Sequence, residues 1–299
     1  MGSSTGSAAL RLLVAMVWGF GSACTSSTGV SRRDEPDFGT IADPRSPEDV
    51  YGVSNGREDY ENLYLTTVQI TSKVGACSGV LLASNLVLTA AHCFCPVTRA
   101  AFDRASCVKE AVVRSHSYVH RSDLPKGWMP VVDASRGEVV VHDQFTSGRD
   151  SRGFVDPDRR GTDLAVIFLE RPLKGLQPDM QLLSKEVSVG TELTVVGFGA
   201  SGYRKPDPGV RRSGRNVVSN IHLLPDRKGR ELRFQYTGAH TTGGDSGGPC
   251  FYEENGVRWL VGINSGHSNS GTQSWFTSTS SYRDWIEAQL EKAKKQSAP

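Results

Sequence analysis

From about residue 53 onward, apolar residues come in short, β-branched runs separated by Gly, Asn, Asp and Pro. Residues 65–70, 79–82, 87–88, 137–141, 164–169, 193–196 and 259–263 have the length of strands and are too short for helices. Their number predicts an all-β barrel or sandwich. One segment near the C-terminus has a different period. Trp285, Ile286 and Leu290 form a helical stripe, Ser280 or Ser281 stands where a cap is needed, and Lys292 to Lys295 suit the negative end of the helix dipole. Residues 24–52 are rich in Ser, Arg, Asp, Glu and Pro and too poor in large apolar side chains to offset ordering entropy, which predicts a linker or pro-segment. The polar stretch from Cys95 to Gly161 is expected to carry surface loops, and no internal repeat is visible.

The first 23 residues carry a different signal. Arg11 precedes an apolar run from Leu12 to Phe20, and the small residues Gly21, Ser22 and Ala23 follow, as at a signal-peptide cleavage site. The run falls short of the roughly 20 residues that span a bilayer, so export is expected rather than a permanent anchor. Cys24 follows directly, and the segment is similar to a bacterial lipoprotein box, with Gly21 where an aliphatic residue is usual. Lipidation of Cys24 would give membrane attachment; the alternative is a cysteine removed or left idle. Of the six cysteines, five remain beyond Cys24, so at least one stays unpaired, and an oxidising compartment makes two disulfides of the other four. Localisation is therefore expected to be secreted or cell-envelope.

Composition narrows the partners. A net charge of +2 over 299 residues gives no concentrated cationic surface for nucleic acid. The short basic clusters Arg211-Arg212 and Arg227-Lys228 are expected on solvated loops. His116 and His120 are four apart, a spacing that would suit a metal pair on a helix. No further ligands or helical pattern accompany them, so they are expected on surface loops and no metal is assigned.

The chemistry lies in Gly243-Gly244-Asp245-Ser246-Gly247-Gly248-Pro249. A nucleophilic serine needs a tight turn with backbone N–H groups free to face a developing oxyanion, and flanking glycines permit that turn. All seven positions resemble the nucleophile loop of the chymotrypsin family. Leu88-Thr89-Ala90-Ala91-His92-Cys93 resembles the family's general-base motif, and Thr162-Asp163-Leu164-Ala165-Val166-Ile167 resembles the strand presenting its carboxylate. Cys77-Ser78-Gly79-Val80-Leu81-Leu82 resembles the strand whose cysteine is bridged to the one after the histidine, which implies Cys77–Cys93. The order His, Asp, Ser is the family's order. The resemblance runs from about residue 53 to 286. It implies two Greek-key six-stranded β-barrels with a C-terminal helix, the first at about 53–175 and the second at about 176–299. It further implies a serine endopeptidase without cofactor acting on protein or peptide substrates, with His92, Asp163 and Ser246 as triad and the N–H groups of Gly244 and Ser246 as oxyanion hole.

Further positions follow from the same resemblance. Val261-Gly262-Ile263-Asn264-Ser265-Gly266 is similar to the strand that pairs with substrate backbone, and Ser265 to the serine that supports the triad carboxylate. Val53-Ser54-Asn55-Gly56 resembles a mature N-terminus whose freed amine pairs with the carboxylate before the nucleophile, here Asp245. Gly52 stands where a basic residue usually precedes the cut, so either another protease cuts there or Asp245 has another partner. Beside Gly243, the specificity pocket carries His240 where trypsin-like members have Asp, and Thr242 where they have a cysteine. With His240, Thr241, His267 and Ser274 around it, the pocket is expected to take small or polar residues, with acidic residues as the alternative. Cys95 and Cys107 are expected to close a local loop, and Cys250 to stay free. The rival readings are a latent zymogen and a non-catalytic binding relative.

Overall fold

The computed structural model describes residues 53–54, 56–96, 104–124, 127–146, 161–200, 209–224, 228–268 and 273–297. The expected signal peptide, Cys24 and the linker lie outside the described residues.

The first barrel is built from β2 (Thr67–Thr71), β3 (Ala76–Ala83), β4 (Leu86–Thr89), β5 (Glu110–His120), β6 (Trp128–Val141) and β7 (Ala165–Leu169), after a two-residue β1 (Arg57–Glu58). It closes in the order β2-β3-β4-β7-β6-β5, with every pair antiparallel. The runs that read as strands are those that fill it: Val68, Ile70, Val80, Leu88, Val113, Val166 and Ile167 are fully buried. Each such side chain contributes about 1.5–3 kcal/mol of burial.

After the short β8 (Gln181–Leu182), the second barrel uses β9 (Glu192–Gly197), β10 (Arg212–Leu223), β11 (Arg230–Gln235), β12 (Pro249–Glu254), β13 (Val257–His267) and β14 (Gln273–Ser278). The ring β9-β10-β11-β14-β13-β12 closes through β9–β10 and β9–β12 pairing, while β1 adds to β10 and β8 to β13. Val195, Val218, Leu232, Phe234, Val261 and Phe276 form its core, and Val53 packs into the same cluster. The expected fold of two six-stranded barrels is the observed one.

Four local expectations are corrected. The region from Cys95 onward holds β5 and β6, the first barrel's longest strands, rather than only loops. They pair over eleven residue pairs, and one face of β5 alternates outward, which keeps its mean hydropathy low. His116 and His120 both sit on β5, where residues four apart are far too distant to share an ion. His116 is buried, and burial together with Arg211 and Arg114 pushes its pKa down to about 4. Arg211 and Arg212 are not solvated: among the described residues they are the two largest fully buried side chains. Finally, a 3-10 turn at Ser280–Tyr282 precedes α1 (Arg283–Ser297), and neither serine caps it. Ser280 Oγ instead donates to Glu186, while Ser281 Oγ is buried without a partner. The helix is held by its apolar stripe, with Ile286 and Ala293 buried and Trp285 and Leu290 packed beside them. Among the described residues no helix is long and apolar enough to cross a membrane.

Candidate active site

The first barrel presents a histidine and a carboxylate on adjacent strand ends. β4 ends at Thr89, and Ala90 and Ala91, both fully buried, allow the chain to turn tightly into a 3-10 turn at Ala91–Cys93 that carries His92. Cys77–Cys93 ties the far end of that turn to β3, and Cys95–Cys107 ties the next residues down again. Asp163 lies immediately before β7, the strand paired with β4. Its Oδ1 accepts from the His92 backbone N–H at 2.9 Å and its Oδ2 contacts His92 Nδ1 at 2.7 Å. Ser265 Oγ donates to the same Oδ2 at 2.5 Å. The carboxylate is buried while the imidazole is 28% exposed, so one edge of the ring is fixed and the other faces solvent. A carboxylate on Nδ1 holds the proton there and leaves Nε2 as the basic nitrogen.

The second barrel brings the nucleophile loop against this pair. Gly247, in the left-handed region at φ 80°, lies so close to Thr89 Oγ1 and Ser78 O that a Cβ would collide with both. The Ser246 carbonyl accepts from Ser78 N at 2.7 Å, and Gly247 N donates to Asn264 O at 2.8 Å. Ser246 is thereby pinned between β3 and β13, the strand that carries Ser265, while Gly247 lies against the end of β4. Ser246 itself is half-buried. Gly244 is also left-handed, at φ 98°. Among the described residues the N–H groups of Gly244 and Ser246 donate to no protein acceptor.

Asp245 points the other way, into the protein. Its Oδ1 accepts from Gly199 N at 2.7 Å, and its Oδ2 from Thr242 N at 2.8 Å and Thr242 Oγ1 at 3.2 Å. Burial pushes its pKa up to about 7; these hydrogen bonds and the nearby Arg212 charge act in the opposite sense. Val53 is fully buried but makes no hydrogen bond with Asp245; Ser54 N donates to His240 O at 2.9 Å instead. The expected Val53–Asp245 pairing is thus not formed in the uncut chain.

The expected pocket residues gather on β13, β14 and the loop before Ser246. Thr241 Oγ1 contacts Ser274 Oγ at 3.0 Å and Asn264 Oδ1 at 3.4 Å, and Thr241 N donates to Ser274 Oγ at 2.9 Å. Asn264 Oδ1 also accepts from Gly266 N at 3.1 Å, which leaves its buried Nδ2 without a partner. His240 is buried, its ring 3.8 Å from that of Tyr236, with Nδ1 near Gly238 O at 3.4 Å and Nε2 unpartnered. Burial lowers its pKa, and the His267 charge acts in the same sense, so the ring is neutral at physiological pH. His267 is half-buried at the end of β13, and Gly243 is exposed.

Sequence reasoning passed over two residues. Ser78 was visible only as part of the cysteine motif. Its Oγ accepts from Phe198 N at 2.9 Å and donates to Gly244 O at 2.8 Å, bridging the nucleophile loop to the end of β9. Arg212 reads as surface charge, and no local pattern marks it as buried. Cys250 is free and buried, as expected, with burial raising its pKa. Cys77, His92 and Cys93 form a grouping of metal-type ligand atoms among the described residues, but the two sulfurs are bonded to each other.

Two closed six-stranded barrels, an aspartate–histidine pair on the first and a Gly-Asp-Ser-Gly turn on the second, are the architecture of the chymotrypsin-like fold. The trypsin family model matches residues 53–286, and the chain belongs to that family. It is 26% identical to mouse (Mus musculus) serine protease 56 over 72% of this chain and 34% of that protein. It is 26% identical to rabbit (Oryctolagus cuniculus) vitamin K-dependent protein C over 75% of this chain and 48% of that protein. Rat (Rattus norvegicus) tonin is 28% identical over 64% of this chain and 70% of its own. The chain thus spans about a third and about half of the first two relatives.

Proposed function

We propose that the chain is an exported serine endopeptidase that cleaves peptide bonds through an acyl-enzyme. The observation that carries this reading is the coupling of two features. Asp163 holds both the backbone and the ring of His92. Among the described residues the N–H groups of Gly244 and Ser246, on either side of Asp245 in the same turn, donate to no protein acceptor.

In this mechanism Ser246 Oγ attacks the scissile carbonyl carbon as His92 Nε2 takes its proton. The carbonyl oxygen becomes an anion received by the Gly244 and Ser246 N–H groups. Collapse breaks the C–N bond, and the proton on His92 passes to the leaving amine. Water then repeats the sequence, its proton going to His92 and back to Ser246 as the acid departs. Asp163 stabilises the transient imidazolium, and Ser265 keeps Asp163 oriented. Such acyl transfer needs no cofactor.

The pocket supports a small or polar P1 residue. Among the described residues His240, not a carboxylate, stands where Lys or Arg would be received, and burial favours its uncharged form. Thr241, Ser274 and Asn264 offer hydroxyl and amide groups. Two disulfides on one side of the fold are consistent with an oxidising, extracytoplasmic location.

The test is labelling with a fluorophosphonate, read by intact mass, with Ser246→Ala as control. One adduct on the wild type and none on the variant is the expected result. Equal labelling of both would overturn the assignment of Ser246. A peptide library in which Arg or Lys dominates P1 would overturn the pocket reading.

A further inference from the structure

We propose that Arg212 is a positioning residue that orders the oxyanion loop from inside the fold, so that the uncut chain is catalytically competent. The proposal rests on the serine-peptidase reading and adds how its loop is held.

The loop carrying Gly244, Asp245 and Ser246 is fastened to residues 198–200. Gly199 N donates to Asp245 Oδ1 at 2.7 Å, Ala200 N to Gly243 O at 3.3 Å, and Thr242 Oγ1 to Ala200 O at 2.8 Å. The arrangement is close: Gly199 and Gly197 lie against the Asp245 carboxylate with no room for a side chain, and a Cβ on Gly244 would be 3.0 Å from Gly199 Cα. Whatever fixes Gly199 therefore fixes the loop. Arg212 does so, donating from Nη1 to Gly199 O at 3.1 Å.

The guanidinium pairs with one carboxylate and acts on a second at longer range. Its other arm reaches Glu58 Oε1 at 3.2 Å, where the glutamate side chain is 31% exposed and its charge partly screened. On the inner side, one peptide away, is Asp245, which is wholly buried. A buried carboxylate accepting three hydrogen bonds is ordered in its ionised form, because a proton on Oδ2 would displace one donor. Ionisation there needs a cation nearby. Arg212 is the charged group acting on Asp245, with Thr242 supplying neutral donors from the loop itself.

The N-terminal segment is already docked without a cut. Val53 is in the second core, Glu58 pairs with Arg212, and Asp59 with Arg211 at 2.7 Å with both side chains buried. Neither the hydrophobic seat nor the charge therefore depends on freeing the amine of Val53.

The experiment compares fluorophosphonate labelling rates of the full chain left uncut with a version in which residues 48–52 are replaced by an enteropeptidase site and cut before Val53. Intact mass and N-terminal sequence identify the labelled species. The uncut wild type is expected to label within about tenfold of the cut form. Arg212→Met is expected to label about tenfold more slowly when uncut, with its rate-against-pH limb moved up by about one pH unit, the shift an opposite charge imposes on a carboxylate. Cutting should restore it by bringing an ammonium group to Asp245, and Arg212→Lys should retain most of the rate. An uncut wild type that labels a hundredfold or more slower than the cut form overturns the proposal without recourse to any variant. So does an Arg212→Met protein with wild-type melting, rate and pH limb. Absence of labelling in cut and uncut wild type alike would instead overturn the serine-peptidase reading.

Discussion

The two barrels share a strand count and differ in what stiffens them. Both disulfides belong to the first, around the turn that carries His92. Among the described residues the second barrel has no disulfide and a free buried cysteine, and its nucleophile loop is held by buried polar groups: Asp245, Thr242, Ser78 and Arg212. A covalent staple is indifferent to pH and vulnerable to reductant. A network of buried charges and hydrogen bonds has the reverse sensitivities. The half that holds His92 and the half that holds Ser246 should therefore fail under different conditions.

The largest effect tests the junction of the halves. Asp163→Asn should lower kcat/KM about 10⁴-fold with the fold retained, because the imidazole loses its proper tautomer; steady-state kinetics and circular dichroism check this. Next comes the ionic fastening of the N-terminal segment. Asp59→Asn strands the buried Arg211 guanidinium and should cost about 3–5 kcal/mol, whereas Asp59→Leu combined with Arg211→Met should recover much of that. Denaturant titration of the three proteins separates burial of an unpaired charge from loss of a contact. Removing Cys77–Cys93, which spans 16 residues, should cost about 3 kcal/mol. Hydrogen exchange should then rise in β2–β4 and leave β9–β14 little changed; equal loosening of both barrels would dissolve the distinction.

The smallest effects concern pH. Asp245 has a folded pKa of about 7, above the ordinary carboxylate value, so the folded chain holds a proton that the unfolded chain has already lost. Its contribution to stability is present at acid pH and falls as pH rises through about 7. His116, at about 4 beside Arg211 and Arg114, behaves oppositely: the unfolded chain binds the proton first, and stability falls as pH drops from about 6.5 to 4. Melting curves between pH 4 and 8 should show Asp245→Asn removing a decline toward neutral pH and His116→Phe a decline toward acid pH, two opposed slopes that share the window from about 4 to about 7. A neutral limb that survives in Asp245→Asn would assign that slope to another group.

Much of this was readable in the chain. The buried strands announced themselves because interior runs are apolar on both neighbours, as in β7, where all five residues are buried. The nucleophile loop was readable because its glycines are required by backbone geometry: φ 98° at Gly244 and 80° at Gly247. Other features depend on distance in sequence. β5 and the part of β6 before Gly137 looked like loops because a strand with an outward face has unremarkable hydropathy, whereas the run 137–141 at the end of β6 read as a strand. Arg211 and Arg212 looked like surface charge because their partners, Asp59 and Glu58, are more than 150 positions away. Ser280 and Ser281 satisfied the local rule for a cap, but Glu186, from another part of the fold, took the hydroxyl of Ser280.

The bare α-carbons of Gly197 and Gly199 have a practical consequence. They form the floor on which the Asp245 carboxylate lies, and each excludes any side chain. One added methyl group at Gly199 would lift that carboxylate and tilt the loop beside it, while every atom that touches substrate kept its chemical identity. A researcher wanting an inert decoy that still presents histidine, aspartate and serine could obtain it there, in a residue with no functional group at all.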